Sequence, residues 1–337
     1  MAHELEISEA GDVAFALRGA PAWHGLASHI FDENEIVSTS EMLDAAHLSD
    51  WNVRLESISS HAPEGYRFNS ESYMVVRTNP FDQGSDVLAT VGERYTVVQN
   101  EGLFAFGDAI LDGGASWEAA GSIKNGRKVF GSLVLPREIV LDAGGAADKT
   151  LLYLLVNSSH DGSAAVQASI TPVRVVCQNT LNFALRGNKQ TYKVRHTQTV
   201  TGRVAAAREA LGIAYKYVDA FEIEAKALIE QSISDAKFNE IILALYPKPE
   251  ADVKGALTKW ENKVDVINTI YTSPTCLNIK GTAWGAVNAL TERLDWNRSG
   301  RGNAAAENVA AAASGFDPVT NVEKGRILSA VKSLSLV

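Results

Sequence analysis

Cysteine is almost absent: Cys177 and Cys276 are the only two in 337 residues. Two thiols cannot build a disulfide framework or a four-cysteine zinc site, and their scarcity suits a reducing compartment. Long apolar runs are also missing. The richest stretches, residues 151–156 and 173–177, have strand length and fall well short of the ~20 residues that a membrane-spanning helix needs. The start, Met1-Ala2-His3-Glu4-Leu5-Glu6, carries no basic segment followed by an apolar one, so no signal peptide is expected. Together these absences predict a cytoplasmic protein with no membrane partner.

A further absence is local. Residues 162–208 contain no Asp or Glu, but they hold Arg174, Arg186, Lys189, Lys193, Arg195, Arg203 and Arg208. Residues 119–137 also lack acids and carry Lys124, Arg127, Lys128 and Arg137. Residues 1–100, by contrast, hold 16 Asp and Glu against 5 Lys and Arg. The formal net charge of −9 therefore hides a basic middle in an acidic chain. Such segregation is expected where an anionic ligand docks.

What is present is a globular composition, 46% hydrophobic and 21% charged, sufficient for a large core. A short helix is expected over residues 40–46 with Ser40 as its cap, and strands over 52–58, 73–78 and 87–91. A helix over 101–112 places Leu103, Phe106 and Ile110 on one face, and Gly113-Gly114 ends it. Strands over 117–123 and 128–135 flank Lys124-Asn125-Gly126-Arg127. Asn-Gly favours the positive φ angles of a type I′ turn, the strongest hairpin signal in the chain. Strands over 150–157 and 164–176, a helix from about Gln178 to Gly187 and a basic strand over 192–197 follow. Beyond Thr201 the pattern is helical, over 201–232, 235–246, 251–271, 282–296 and 322–334. Strands first and helices afterwards define an α+β fold: an antiparallel sheet with a prominent hairpin, then a mostly helical C-terminal part. The expected regions are a basic α+β core over 1–200, a helical region over 201–297 and a Gly/Ala-rich mobile segment with a terminal helix over 298–337.

Enzymatic signatures are weak. The run from Gly121 to Lys128 superficially resembles a phosphate-binding loop, but Arg127 stands at the lysine position, Lys128 at the Ser/Thr position, and no helix follows. Cys177, His160, His196 and Asn179 include the residue types of a Cys-His-Asn nucleophile site, but nothing in their spacing requires one. His24 and His29 have no flanking cysteines, so no metal site is expected, nor any cofactor. The basic stretch is more informative, because its cations alternate with Phe183, Tyr192, Gln178, Asn179 and Asn182. Lys and Arg answer phosphates, and aromatic rings answer unstacked bases. Lys124, Arg127, Lys128, Arg174, Arg186, Lys189, Tyr192, Lys193, Arg195, His196 and Arg203 are therefore the candidate contacts to a single-stranded nucleic acid. The competing reading is that these cations pair with the acidic N-terminal region, within the chain or between subunits.

Several longer motifs resemble a known family: Tyr95-Thr-Val-Val-Gln-Asn100, Gly121-Ser-Ile, Asn157-Ser-Ser-His-Asp-Gly162, Thr171-Pro-Val-Arg-Val-Val-Cys-Gln-Asn-Thr180, Trp23-His24-Gly25, Arg195-His196-Thr197 and Thr282-Ala-Trp-Gly285. They look like the phage/plasmid-like proteins of unknown function from actinobacterial phages, plasmids and prophages. That resemblance implies a mobile-element origin and the cytoplasm of a bacterial host, and it carries over no catalytic residue. A second, fold-level analogy is to phage single-strand annealing proteins of the RecT and Red-beta kind. It implies a non-catalytic homo-oligomer, ring or helical, acting in recombination or replication without a cofactor. The alternative is a phage structural or host-interaction protein whose basic middle docks on an acidic partner or neighbouring subunit.

Overall fold

The structure is a computed structural model that describes residues 5–19, 27–62, 65–164, 166–174, 179–180, 191–193, 200–250, 255–296 and 318–335. The fold is α+β. Eight strands form the main sheet: β1 (Phe15–Arg18), β2 (His29–Phe31), β6 (Ser116–Ile123), β7 (Lys128–Leu141), β8 (Asp148–Ser159), β9 (Gln167–Arg174), β10 (Asn179–Thr180) and β11 (Thr191–Lys193). Their order is β10-β9-β8-β7-β6-β1-β2, with β11 also on β9. Every pairing is antiparallel except β1 with β2. A separate three-stranded meander joins β3 (Arg54–Ala62), β4 (Gly65–Thr78) and β5 (Ser85–Gly92).

Alternation gives the main sheet two different faces, since neighbouring residues on a strand point to opposite sides. Ala120, Val129, Leu133, Leu152, Leu154, Val156, Ala168 and Ile170 line the face that meets the helices. Phe15, Leu17, Ala119, Ile123 and Phe130 form a second, smaller cluster, against which Trp296 packs. One large hydrophobic cluster runs from the sheet through Phe221, Trp284 and Ile327, so strands and helices share a core.

The helices are α1 (Thr39–Ala45), α2 (Asn100–Phe104), α3 (Phe106–Leu111), α4 (Val200–Glu230), α5 (Asp235–Leu245), α6 (Ala256–Tyr271), α7 (Ala283–Trp296) and α8 (Pro318–Ser335). The cap of α1 is Ser38, not Ser40: its hydroxyl accepts from the Glu41 amide while Glu41 bonds back to the Ser38 amide, a reciprocal box that Ser40, already inside the helix, cannot form. The helix expected over 101–112 is two short ones meeting at Ala105. Asn179-Thr180, expected at the start of a helix, instead pairs with Arg174 and Val173. An open edge of β9 outweighs a weak local helical preference.

Pro172 lies in register with Leu152, between the stretches of β9 that pair with β10 and β11. A proline there costs no ladder bond on the outer edge. Thr282-Ala-Trp-Gly285 opens the buried helix α7. The Thr282 side chain accepts from the Gly285 amide at 3.0 Å, and the Trp284 indole donates to the Asp148 carboxylate at 2.8 Å, tying helix to sheet. A Cβ at residue 285 would overlap the Ile279 carbonyl.

Candidate nucleic-acid interface

The β6–β7 hairpin closes at the pair Ile123–Lys128. Asn125 and Gly126 take φ of 54° and 79°, the left-handed pair expected of Asn-Gly, and the Arg127 amide donates to the Lys124 carbonyl at 3.4 Å. Lys124 is left-handed as well, at 57°, so it leaves the ladder and stands out at the tip. Lys124 and Arg127 are exposed and Lys128 is half-buried. The tip is braced from behind: the Arg127 carbonyl accepts from the His160 amide at 2.8 Å. Gly126 lies against the buried Arg77 guanidinium, leaving no room for a Cβ.

Arg77 anchors that brace. It is 1% exposed, its guanidinium lies 4.1 Å from the centroid of the Trp51 ring, and it bonds to Glu6 and Asp86. Glu6 also accepts from the Ser122 hydroxyl at 2.7 Å. This network joins the N-terminal segment, the meander and the hairpin.

Two motifs far apart in sequence meet beside it. The Tyr95 hydroxyl donates to the His160 carbonyl at 3.2 Å, and His160 Nε2 lies 2.9 Å from Asn100 Oδ1. Asn100 gives its amide hydrogen to the Leu48 carbonyl at 2.8 Å. That fixes its Oδ1 as an acceptor and puts the His160 proton on Nε2. Burial, and secondarily the Arg77 charge, pushes the His160 pKa down to about 4. His160 is therefore a neutral structural member, joined to Asn100 and tilted against the Trp51 ring. Asp161 beside it stays easily ionised: burial works against its charge, but hydrogen bonds from Ser163 and Ser159 outweigh that, aided by the Lys128 charge.

Sheet register locates the other candidates. Lys193 pairs with Gln167, Gln167 with Asn157, and Asn157 with Phe130. Lys193 is thus three strands across from Phe130, roughly 14 Å, at the hairpin end of the sheet. Tyr192 is next to it, opposite Ala168. Arg174 pairs with Thr150, which pairs with Ile139. That is the other end of β9, ~23 Å away along the strand. Arg203 lies in the first turn of α4, a helix that packs on β7, β9 and β11. Arg186, Lys189, Arg195 and His196 lie outside the described residues, as do Cys177 and Phe183. Arg137 is taken up internally, pairing with Asp219 at 2.8 Å and Glu222 at 2.9 Å.

The flank of the tip toward the meander is acidic. A groove of about 730 Å³ there is lined by Glu6, Glu9, Asp12, Asp82 and Asp86 together with Arg77 and Arg127. The opposite flank leads through β8 to β9 and β11, into the stretch of sequence without acids. Among the described residues no group of three or more His, Cys, Asp or Glu is placed to hold a metal, and no helix is long and apolar enough to cross a membrane.

Sequence reasoning missed the Arg77 network and a buried carboxylate, Glu118. A register shift between Trp117 and Ala119 turns Glu118 inward, where its Oε1 accepts from the Tyr153 hydroxyl at 3.0 Å. Burial pushes its pKa up to about 7. A charged residue inside an otherwise apolar strand was the available signal, but a bulge is invisible to strict alternation.

An α+β scaffold that presents a braced basic hairpin at one end of an antiparallel sheet defines the class. Residues 87–315, more than half of the chain, match the family model described as Domain of unknown function (DUF932), and the protein belongs to that family. No curated protein and no solved structure matches it.

Proposed function

We propose that the protein is a non-catalytic single-stranded nucleic-acid-binding protein of the annealing type, working as a homo-oligomer in phage DNA recombination or replication. The observation that carries this reading is the rigid tip with Lys124, Arg127 and Lys128, at the same end of the sheet as Tyr192 and Lys193. Lysine and arginine at a fixed spacing answer successive phosphates, and a backbone held by cations leaves base edges open for pairing with a second strand. The acidic groove repels phosphate, so the path of the strand runs from the tip toward β9 and β11 and away from the meander. Arg174, at the far end of β9, belongs to a second contact or to none.

The test is a fluorescence-anisotropy titration of single- and double-stranded oligonucleotides at two salt concentrations, repeated with Lys124, Arg127 and Lys128 changed to Ala. Wild-type affinity is expected to fall steeply with salt, and the triple variant to lower the logarithmic slope by about 2–3. Identical binding by the variant removes the hairpin from the site.

The basic tip beside an acidic groove also supports a second reading, in which the tip of one copy enters the groove of the next and the assembly is structural. In that case large assemblies form without oligonucleotide and ignore its addition.

A further inference from the structure

A second cluster of cations lies in the helical part, where the end of α5, the first turns of α6, the end of α7 and the start of α8 converge. Its centre is Tyr246, the residue that closes α5. Lys263 Nζ lies 4.5 Å from the centroid of the Tyr246 ring, and the Arg293 guanidinium 5.7 Å from it. The Trp260 indole donates to the Tyr246 carbonyl at 2.8 Å, fixing α6 against the end of α5. Lys248 Nζ stands 5.6 Å from the Trp260 ring centroid and adds a third positive charge beside that indole.

Three features of this cluster are only partly matched among the described residues. Arg293 is 8% exposed, yet neither it nor Lys263 reaches ion-pair distance of a carboxylate among the described residues. The carboxylate whose field acts here is Glu323, and it is engaged by Arg326 at 2.9 Å. The Tyr246 hydroxyl is buried without a hydrogen bond of normal geometry, with Glu323 and Arg293 both close enough to act on it. Burial, and then Glu323, pushes this phenol up to about 12, so it stays a neutral donor. Lys263 is held below its ordinary value by burial first and by Arg293 second. Two like charges thus share one buried ring whose hydroxyl lacks a hydrogen bond of normal geometry. Such a placement is costly unless an anion completes it.

We infer that this junction is a binding site for a phosphate-class oxyanion, held by Arg293, Lys263 and the Tyr246 hydroxyl. Arg293 supplies a planar fork, Lys263 a compact charge and Tyr246 a single directed donor, a set that suits a tetrahedral dianion better than a flat carboxylate. The site is separate from the hairpin and stands whether or not the hairpin binds nucleic acid.

The test uses the full chain and inorganic phosphate, read by thermal unfolding and by titration calorimetry against chloride at equal ionic strength. Wild-type protein is expected to gain Tm in phosphate beyond its gain in chloride and to bind one equivalent. Lys263→Gln and Tyr246→Phe are each expected to weaken phosphate binding about tenfold, and Arg293→Met to abolish it. Lys263 is half-buried and the Tyr246 change removes only a hydroxyl, so these two decide the matter even if Arg293→Met fails to fold. The inference is overturned if phosphate raises Tm equally in wild type and both variants, which is the general effect of an excluded kosmotropic salt, or if no binding heat is seen. Competition then identifies the source. Displacement of phosphate by a mononucleotide assigns a nucleotide, displacement only by a short single strand assigns a backbone phosphate, and displacement by neither assigns the free ion.

Discussion

Glu118 and His160 are two buried titratable side chains with opposite effects on stability. Glu118 has its folded pKa raised to about 7 from 4.5, so its contribution is fully present below the ordinary carboxyl value and is lost as pH rises through 7. His160 has its folded pKa lowered to about 4 from 6.5, so its contribution is fully present above 6.5 and is lost as pH falls through 4. Each shift corresponds to about 3 kcal/mol. Between about pH 4.5 and 6.5 folding takes up one proton at Glu118 and releases one at His160, so the two slopes cancel. Wild-type stability is therefore expected to be nearly flat across that window. Glu118→Gln removes one slope, and that variant should lose stability steadily on acidification from 6.5 toward 4. His160→Gln should show the reverse, losing stability as pH rises from 4.5 to 7. Urea midpoints at several pH values check this, and a variant as flat as wild type would refute the assignment for that residue.

At the scale of elements, local hydrogen bonding and backbone geometry set the ends and turns. Ser38→Ala removes half of the α1 capping box and should cost about 1 kcal/mol. Gly126→Ala forces a Cβ into a left-handed position against Arg77 and should cost about 1–3 kcal/mol, read as a lower urea midpoint with an unchanged m-value. The three hairpin alanine changes differ in kind. Two of the side chains are exposed and the third is half-buried, so stability is expected to move by only about 0.5 kcal/mol or less while salt-dependent affinity falls. A large loss of stability would mean that the tip packs rather than presents.

For the whole molecule, the shared core decides cooperativity. Leu152 in the sheet, Phe221 on α4, Trp284 on α7 and Ile327 on α8 belong to one hydrophobic cluster. The Lys324–Asp295 pair, 1% and 3% exposed with 2.6 Å between the charged atoms, locks α8 onto α7. Lys324→Met leaves Asp295 without this partner and should cost about 3–5 kcal/mol. Calorimetry of the full chain is expected to give a single transition whose van't Hoff and calorimetric enthalpies agree. Two resolved transitions would show that the strand-rich and helical parts fold apart.

The sequence by itself determined the strand-then-helix order, the Asn-Gly hairpin, most helix spans and the placement of positive charge along the chain. Each of these is read from neighbours a few positions away, through turn chemistry, periodicity or simple composition. It did not determine which cations are drawn into the fold and which are exposed. Arg137 and Lys124 look alike in one dimension, yet Arg137 bonds to Asp219 and Glu222 on α4, and Lys124 lies at the exposed tip of a hairpin. Only tertiary structure decided that, along with the inward turn of Glu118, the junction around Tyr246 and the meeting of Tyr95 and Asn100 with His160. Charge pairing and burial depend on distances across the fold, and residues some 60 or 80 positions apart acquire those distances only when the sheet registers and the helices dock.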